Sequence, residues 1–378
     1  MNTLTPNISA AQPLIRQLDQ AAVNRIAAGE VVERPASAVK ELLENALDAG
    51  ARRVEVAIAC GGKTLIRVTD DGCGMAPDQL PLALARHATS KIDGAGDLDA
   101  VETLGFRGEA LASIADVARL TLTTNDGGPR GTSVHVDGAG PRSAGSRPAA
   151  GDDVTVESAG RGRGTTVEVR DLFHNRPARA ESLPAPATEF ERISDRVAAY
   201  ALLRSEVAVS LAHDDRQVFA TPGSGDVTDA VLAVYGREVA RESTTLDATA
   251  TVSVGDADAT VTLRGVLAYP SVTRASADHV RIAVNGRPVS VPALRHAVER
   301  GYGTLLPDGR HPIAVVSVSL PPETVDANVH PAKAEVALSA RDAVEAAVET
   351  AVNDALTTAD LRRSGEVAMG LDESLAPK

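Results

Sequence analysis

The stretch from Pro35 to Gly50 reads as a helix with both of its ends marked. Proline is tolerated in a first helical turn, where its missing N–H would have no partner, and glycine is favoured just past the last turn. Val39, Leu42, Leu43, Ala46 and Leu47 form an apolar stripe at helical spacing, and Glu41, Asn45 and Asp48 share the other side at i, i+4 and i+7. That side carries a carboxylate and a carboxamide one turn apart. A carboxylate can take a proton from water, and an amide oxygen can ligate Mg²⁺, a hard ion that prefers oxygen and keeps several waters. By itself the same spacing also fits the solvated face of an amphipathic helix, so the rest of the chain has to decide.

At 378 residues, and with roughly 100–200 residues per domain, two domains are expected. Aromatic residues make up 2% and Trp is absent, so the core has to be built from Val, Leu, Ala and Ile. No apolar run reaches the length of about 18 residues that a membrane span needs, and no charged-then-apolar leader opens the chain, which predicts a cytoplasmic protein. Cys60 and Cys73 are too few for a disulfide framework and are not in CxxC spacing. The net charge of −13 argues against a generally basic, nucleic-acid-coating surface while leaving room for a local basic groove. Lysines are restricted to Lys40, Lys63, Lys91, Lys333 and Lys378, a scarcity consistent with a GC-rich genome or a salt-rich cytoplasm.

Patterning predicts the organisation. Residues 1–14 read as disordered, and residues 18–28 as a short helix. Residues 54–58 and 65–68 form a hairpin around Gly61-Gly62, 80–87 a helix, and 105–115 a glycine-opened helix. Strands follow at 120–124 and 133–136, joined by a turn of Asn, Asp and Gly. The Gly-, Ala-, Ser-, Pro- and Arg-rich stretch 137–164 suits a flexible loop. Beyond it come a strand (165–169), a helix (190–203), a hairpin (207–211 and 217–220) and a break at Thr221-Pro222-Gly223-Ser224-Gly225. A smaller α+β unit then holds a helix at 227–235, strands at 248–254, 259–268, 280–284 and 313–320, and helices near 291–300 and 341–357, with a polar, frayed end from Leu361.

Four further blocks carry chemistry. In Val68-Thr69-Asp70-Asp71-Gly72-Cys73-Gly74-Met75 a strand ends in an acidic, glycine-rich turn. An ionised Asp there can accept from an adenine amine, and the glycines let a flat base approach the backbone; a plain Asp-Gly turn has the same composition. Gly105-Phe106-Arg107-Gly108-Glu109-Ala110-Leu111 puts glycines before a helix, where N–H groups and the helix dipole favour phosphate. It matches neither a Walker A loop nor a dinucleotide fingerprint, and a glycine-capped helix start reads alike. Gly164-Thr165-Thr166-Val167 offers a hydroxyl near a base or a buried strand threonine. Asn328-Val329-His330-Pro331-Ala332-Lys333 presents a lysine able to meet a terminal phosphate as a point charge, or a solvated loop lysine.

Taken together and in this order, these blocks resemble the N-terminal ATPase part of the MutL family of DNA mismatch-repair proteins. That family lies in the GHKL superfamily, with gyrase B subunits, ATP-driven cytosolic chaperones and histidine kinases. The resembling runs are 27–35, 40–50, 70–74, 85–91, 104–113 and 329–333, within a resemblance covering about 15–345. It implies an α+β fold: a GHKL-type α/β sandwich ATPase domain (15–222, with 137–164 as its flexible loop), then a smaller ribosomal-S5-like α+β transducer domain (226–350), and a helix end and tail (351–378). It implies ATP and Mg²⁺ as ligands, Glu41 as general base and Asn45 as Mg²⁺ ligand. Asp70 is implied as reader of the adenine amine with Thr165 helping, and Gly74 as bordering the base. Ala88, Thr89, Ser90 and Lys91 with Gly105, Phe106, Arg107 and Gly108 are the implied lid over the phosphates, and Lys333 completes the site from the second domain.

The implied function is a slow, Mg²⁺-dependent ATPase of DNA mismatch repair. ATP closes the lid and drives N-terminal homodimerisation, coupling mismatch recognition to downstream repair; the implied partners are DNA and a MutS-like mismatch sensor, with no membrane. Asn175-Arg176-Pro177-Ala178-Arg179 is followed by Ala180-Glu181-Ser182 where the family is more basic and aromatic, and Pro292 stands where a DNA-contacting arginine is common. Both departures, with the acidic charge, weaken the expected DNA contact. Neither the C-terminal dimerisation domain nor the endonuclease metal motif of full-length members is found by Lys378, so nuclease activity is not expected. A non-hydrolysing ATP-gated clamp and another GHKL ATPase are the alternatives. A histidine kinase would need a phospho-accepting histidine on a helical hairpin, and a topoisomerase would need strand-cleavage machinery after the second domain.

Overall fold

A computed structural model describes residues 32–85, 88, 104, 108–138, 154–254, 257–326 and 337–374. In chain order the elements are α1 (Pro35–Asp48), β1 (Arg53–Ala59), β2 (Leu65–Asp70), α2 (Leu80–Ala83), α3 (Ala110–Ala115), β3 (Arg119–Asn125), β4 (Gly131–Asp137), β5 (Val154–Ala159) and β6 (Gly164–Arg170). Then come α4 (Pro177–Ser182), α5 (Pro186–Leu203), β7 (Ala208–His213), β8 (Arg216–Ala220), α6 (Val227–Tyr235), α7 (Arg237–Arg241), β9 (Ser243–Val254), β10 (Ala257–Ala268) and β11 (Thr273–Arg274). The chain continues through β12 (Val280–Val284), β13 (Arg287–Val289), α8 (Pro292–Tyr302), β14 (His311–Pro312), β15 (Ala314–Ser319), β16 (Val325–Asp326), β17 (Ala337–Leu338) and α9 (Arg341–Ser374).

Eight strands form one sheet in the order β5-β4-β3-β6-β2-β1-β7-β8. Every pair is antiparallel except β1–β7. Alternation in the sequence becomes alternation of faces. Val54, Val56 and Ile58 of β1, Ile66 and Val68 of β2, Leu120 and Leu122 of β3, and Val167 and Val169 of β6 point into one core with the apolar stripe of α1 and with Ile193 and Val197 of α5. The opposite face is polar and laced across strands, by Arg67 Nε to Glu168 (2.7 Å), Thr69 with Thr166 (3.2 Å) and Thr123 with Ser133 (3.0 Å), the pairs that stabilise a pleated surface.

Five strands form the second sheet, β13-β12-β15-β10-β9. Its Val261, Leu263, Ile282, Val316 and Val318 pack against Leu294 and Val298 of α8 and Val348 and Val352 of α9. Residues on the other face of β10 and β15, Val266, Ala268 and Val315, pack with Leu202, Ala230, Val231 and Val239, so the C-terminal end of α5 meets the second sheet through α6 and α7. Arg281 of β12 donates to Asp195 of α5 across the same junction (Nη1 to Oδ2, 3.2 Å, with Nη2 on Oδ1).

Four expectations differ from the structure. Val154–Ala159, inside the stretch read as a flexible loop, is strand β5, paired in register with β4. Its Gly- and Arg-rich flanks hid a β-branched segment held by an edge pairing. The helix expected over 80–87 covers Leu80–Ala83 after a 3₁₀ turn at Pro77–Gln79, and the helix expected over 105–115 is Ala110–Ala115 within the described residues. α9 continues to Ser374 where fraying was expected from Leu361. The expected disorder at residues 1–14 and the helix at 18–28 lie outside the described residues.

Candidate active site

The core-facing rows of three neighbouring strands change character at the same end of the first sheet. In one layer Val68, Val167 and Leu122 lie side by side; two residues along each strand, that layer is followed by Asp70, Thr165 and Thr124. Asp70 is 9% exposed and Thr124 1% exposed. Apolar rows that end in buried polar groups require internal partners, because an unpaired buried polar group costs about 1–3 kcal/mol.

Those partners are present. Asp70 Oδ1 accepts the backbone N–H of Gly72 (2.9 Å) and of Thr165 (3.2 Å). Thr165 Oγ1 and Thr124 Oγ1 are 3.0 Å apart, and Thr124 Oγ1 also accepts Met75 N–H (2.9 Å). Among the described residues both bonds accepted by the Asp70 carboxyl fall on Oδ1, which leaves Oδ2 for an incoming donor. Burial pushes the Asp70 carboxyl above the usual carboxylate range, against the two backbone N–H groups that favour its ionised form. Its carbonyl oxygen accepts Arg161 Nη2 (2.7 Å), and Arg161 Nε donates to Gly164 O (3.2 Å). Arg161 therefore ties the ends of β2 and β6 together.

The turn after β2 is fixed to the end of α1. Asp71 Oδ1 accepts the N–H groups of Arg52 and Arg53 (2.8 Å each), and Cys73 N–H donates to Ala49 O (2.9 Å). Gly74 has φ +70°, and a Cβ there would stand 1.9 Å from Asn125 O. Gly164 has φ +118°, and a Cβ would stand 2.1 Å from Asp70 O. Both glycines are required by backbone packed against backbone.

α1 carries the other residues singled out from the sequence, Glu41 and Asn45. Glu41 is partly exposed, and its Oε1 accepts Lys40 Nζ (3.1 Å). Lys40 also donates to Glu44 Oε2 (2.9 Å), and Tyr200 Oη donates to Glu44 Oε1. Burial pushes the Lys40 ammonium down, and Glu41 and Glu44 more than offset it, so the net shift is upward. Asn45 lies one turn after Glu41, and Asp48 Oδ1 accepts Leu104 N–H (2.8 Å), fixing the residue before Gly105 to the end of α1. Gly108 (φ +61°) lies against Ala88, whose carbonyl would be 2.2 Å from a Cβ, so the segments on either side of 89–107 meet.

Of the residues singled out from the sequence, Asp70, Gly74 and Thr165 are brought together, Glu41 and Asn45 share one face of α1, and Gly108 meets Ala88. Thr89, Ser90, Lys91, Gly105, Phe106, Arg107 and Lys333 lie outside the described residues. Sequence reasoning passed over Thr124, whose only signal was its place at the end of an inward row. It also passed over Arg161, set in a glycine-rich run, and Lys40, whose partners are Glu41, Glu44 and, through Glu44, Tyr200.

Residues 33–137 match the family model for histidine kinase-, DNA gyrase B-, and HSP90-like ATPases, and residues 231–357 match that for the C-terminal domain of DNA mismatch repair protein. Among solved structures, the crystal structure of the N-terminal domain of a DNA repair protein superposes with a TM-score of 0.75 at 26% identity, covering 90% of this chain and 99% of that one. The Aquifex aeolicus MutL ATPase domain complexed with ADP superposes at 0.54 with 27% identity, covering 77% and 94%. The fold is thus an α+β, GHKL-type ATPase fold. MutL DNA mismatch-repair proteins of Halobacterium salinarum (50% identical over 353 residues) and Symbiobacterium thermophilum (47% over 354) each align with 93% of the chain. The chain is therefore a homologue of the MutL DNA mismatch-repair proteins, and it spans about half the length of these relatives, 51% and 53%. Among the described residues no helix is long and apolar enough to cross a membrane.

Proposed function

We propose that the chain is a slow, Mg²⁺-dependent ATPase of DNA mismatch repair. The observation that carries the reading is the buried Asp70 carboxylate, held by Gly72 and Thr165 at the end of the inward rows. In this reading Asp70 accepts the adenine amine, Thr165 supports that carboxylate, and Gly74 borders the base. Glu41 takes the proton of the water whose oxygen bonds to the γ-phosphorus as the bond to the ADP oxygen breaks; positioning and charge stabilisation do the rest. Lys333, Thr89, Ser90, Lys91, Gly105, Phe106, Arg107 and Gly108 surround the phosphates in the same proposal.

The donor set fits a nucleotide-borne ion. No group of three His, Cys, Asp or Glu side chains among the described residues would hold a metal alone, and Mg²⁺ is commonly held by one or two protein oxygens plus substrate phosphates. Asn45 Oδ1 is the proposed protein ligand; the ion would supply neutralisation of phosphate charge. Lid closure, ATP-dependent homodimerisation, and action with DNA and a MutS-like sensor in the cytoplasm extend the proposal from the likeness to MutL.

The test is ATP turnover with Mg²⁺ for the parent and Glu41→Ala side by side. A positioned base contributes about 10²–10⁴-fold, so the variant should lose turnover by that factor while still binding ATP. Equal rates would remove Glu41 as the base. ATP binding without turnover in either protein would replace hydrolysis by an ATP-gated clamp.

A further inference from the structure

Neighbouring residues on a helix do not face each other, yet Lys40 Nζ reaches the Glu41 carboxylate at 3.1 Å. It does so because a second carboxylate holds it. Glu44, one turn on, turns inward with its side chain 8% exposed, and takes Lys40 on Oε2 at 2.9 Å. Its other oxygen is taken by Tyr200 of α5. Burial first, and the facing Glu44 second, keep that phenol protonated and therefore a donor. A continuous polar chain thus runs from Tyr200 in the core, through Glu44 and Lys40, to Glu41 on the partly exposed face of α1.

We propose that Lys40, anchored by Glu44 and Tyr200, is a positioning residue for hydrolysis: it fixes the Glu41 carboxylate by one oxygen so that the other faces the attacking water. The proposal rests on Glu41 being the general base. The geometry explains why the ammonium belongs on Lys40. A long flexible stem lets it serve two carboxylates on adjacent faces, and the buried Glu44 removes most of its freedom, so Glu41 is held by a group that is itself held. A displacement of about 1 Å at a reacting group costs about 10²-fold in rate, which sets the size of the effect.

The experiment measures kcat and KM for ATP, with thermal midpoints, for the parent, Lys40→Met, Lys40→Arg, the double variant Lys40→Met/Glu44→Gln, and Glu41→Ala. Lys40→Met should lower kcat about 10- to 100-fold with KM for ATP unchanged. Lys40→Arg, which keeps a cation able to bridge both carboxylates, should recover most of kcat. The double variant, which leaves no unpaired buried carboxylate, should recover the midpoint but not the rate. Parent-like or raised kcat in Lys40→Met, or recovery of kcat in the double variant, would overturn the proposal and leave Lys40 as a counter-charge for Glu44. Parent-like turnover in Glu41→Ala would overturn the base reading itself, separately from the role of Lys40.

Discussion

The two sheets bury different chemistry. In the first, the inward rows end in Asp70, Thr165 and Thr124; Glu44, Asn125 and Thr221 are also buried and hydrogen-bonded, whereas Ser113 Oγ and Glu189 Oε2 are buried with no partner among the described residues. In the second, Val261, Leu263, Ile282, Val316 and Val318 meet the helices without a polar break. Its buried polar groups include the Thr324 hydroxyl, which closes a local bond to Pro321 O (2.7 Å), and the Tyr302 hydroxyl, bonded to Ala268 O. Buried polar groups are retained where a satisfied network holds them. In the first sheet such a network joins Asp70, Thr165 and Thr124 at one end. The second sheet's interior is mainly apolar, with isolated polar groups and no comparable cluster among the described residues.

Two glycines separate steric need from function. Gly74 lies beside Asn125 O, and Gly265 of β10 lies where a Cβ would stand 1.8 Å from Val315 O. Alanine at either position should destabilise by about 1–3 kcal/mol, the usual cost of overpacking. Only Gly74→Ala should also weaken ATP binding in the fraction that remains folded, as read by thermal melts with and without nucleotide. Equal ATP responses in both would break the distinction between the two sheets.

Tyr302 tests the second sheet on its own terms. It is 1% exposed, and its hydroxyl donates to Ala268 O at 2.8 Å. Tyr302→Phe should cost about 1 kcal/mol in denaturant unfolding and leave nucleotide affinity unchanged.

A pH titration sharpens the contrast further. Burial raises the Asp70 carboxyl in the folded state, so the folded chain binds this proton more tightly than the unfolded chain does. This group's contribution to the nucleotide-free fold therefore improves as pH falls through its raised value and is lost as pH rises above it. The adenine amine needs the ionised acceptor, so ATP affinity should fall as pH drops through that raised value, above the ordinary carboxylate range. Opposite trends in melting and affinity, both removed in Asp70→Asn, are expected; affinity that stays flat until the ordinary carboxylate range would contradict the assignment.

Much of this was legible in the chain. Pro35 and Gly50 mark α1, and its 3.6-residue apolar period matches the buried set Val39, Leu42, Leu43, Ala46 and Leu47. The alternation in β1, β2, β3 and β6 likewise tells inward from outward residues. What local pattern could not supply was anything held by distant partners. β5 depends on pairing with β4, Arg161 bonds the carbonyl of Asp70, and Lys40 is set by Tyr200 through Glu44. α4, Pro177–Ser182, is a short helix opened by Pro177 and has too few turns to show a period.

The most direct test of the contrast is equilibrium ATP binding by the parent, Asp70→Ala and Leu263→Ala, with folding checked by circular dichroism. Leu263→Ala removes a fully buried side chain of the second sheet and should cost about 2–5 kcal/mol of stability while keeping parent affinity for ATP in the folded fraction. Asp70→Ala should stay folded and lose ATP binding. ATP binding by Asp70→Ala at parent affinity would contradict the assignment of the polar end of the first sheet as the nucleotide site.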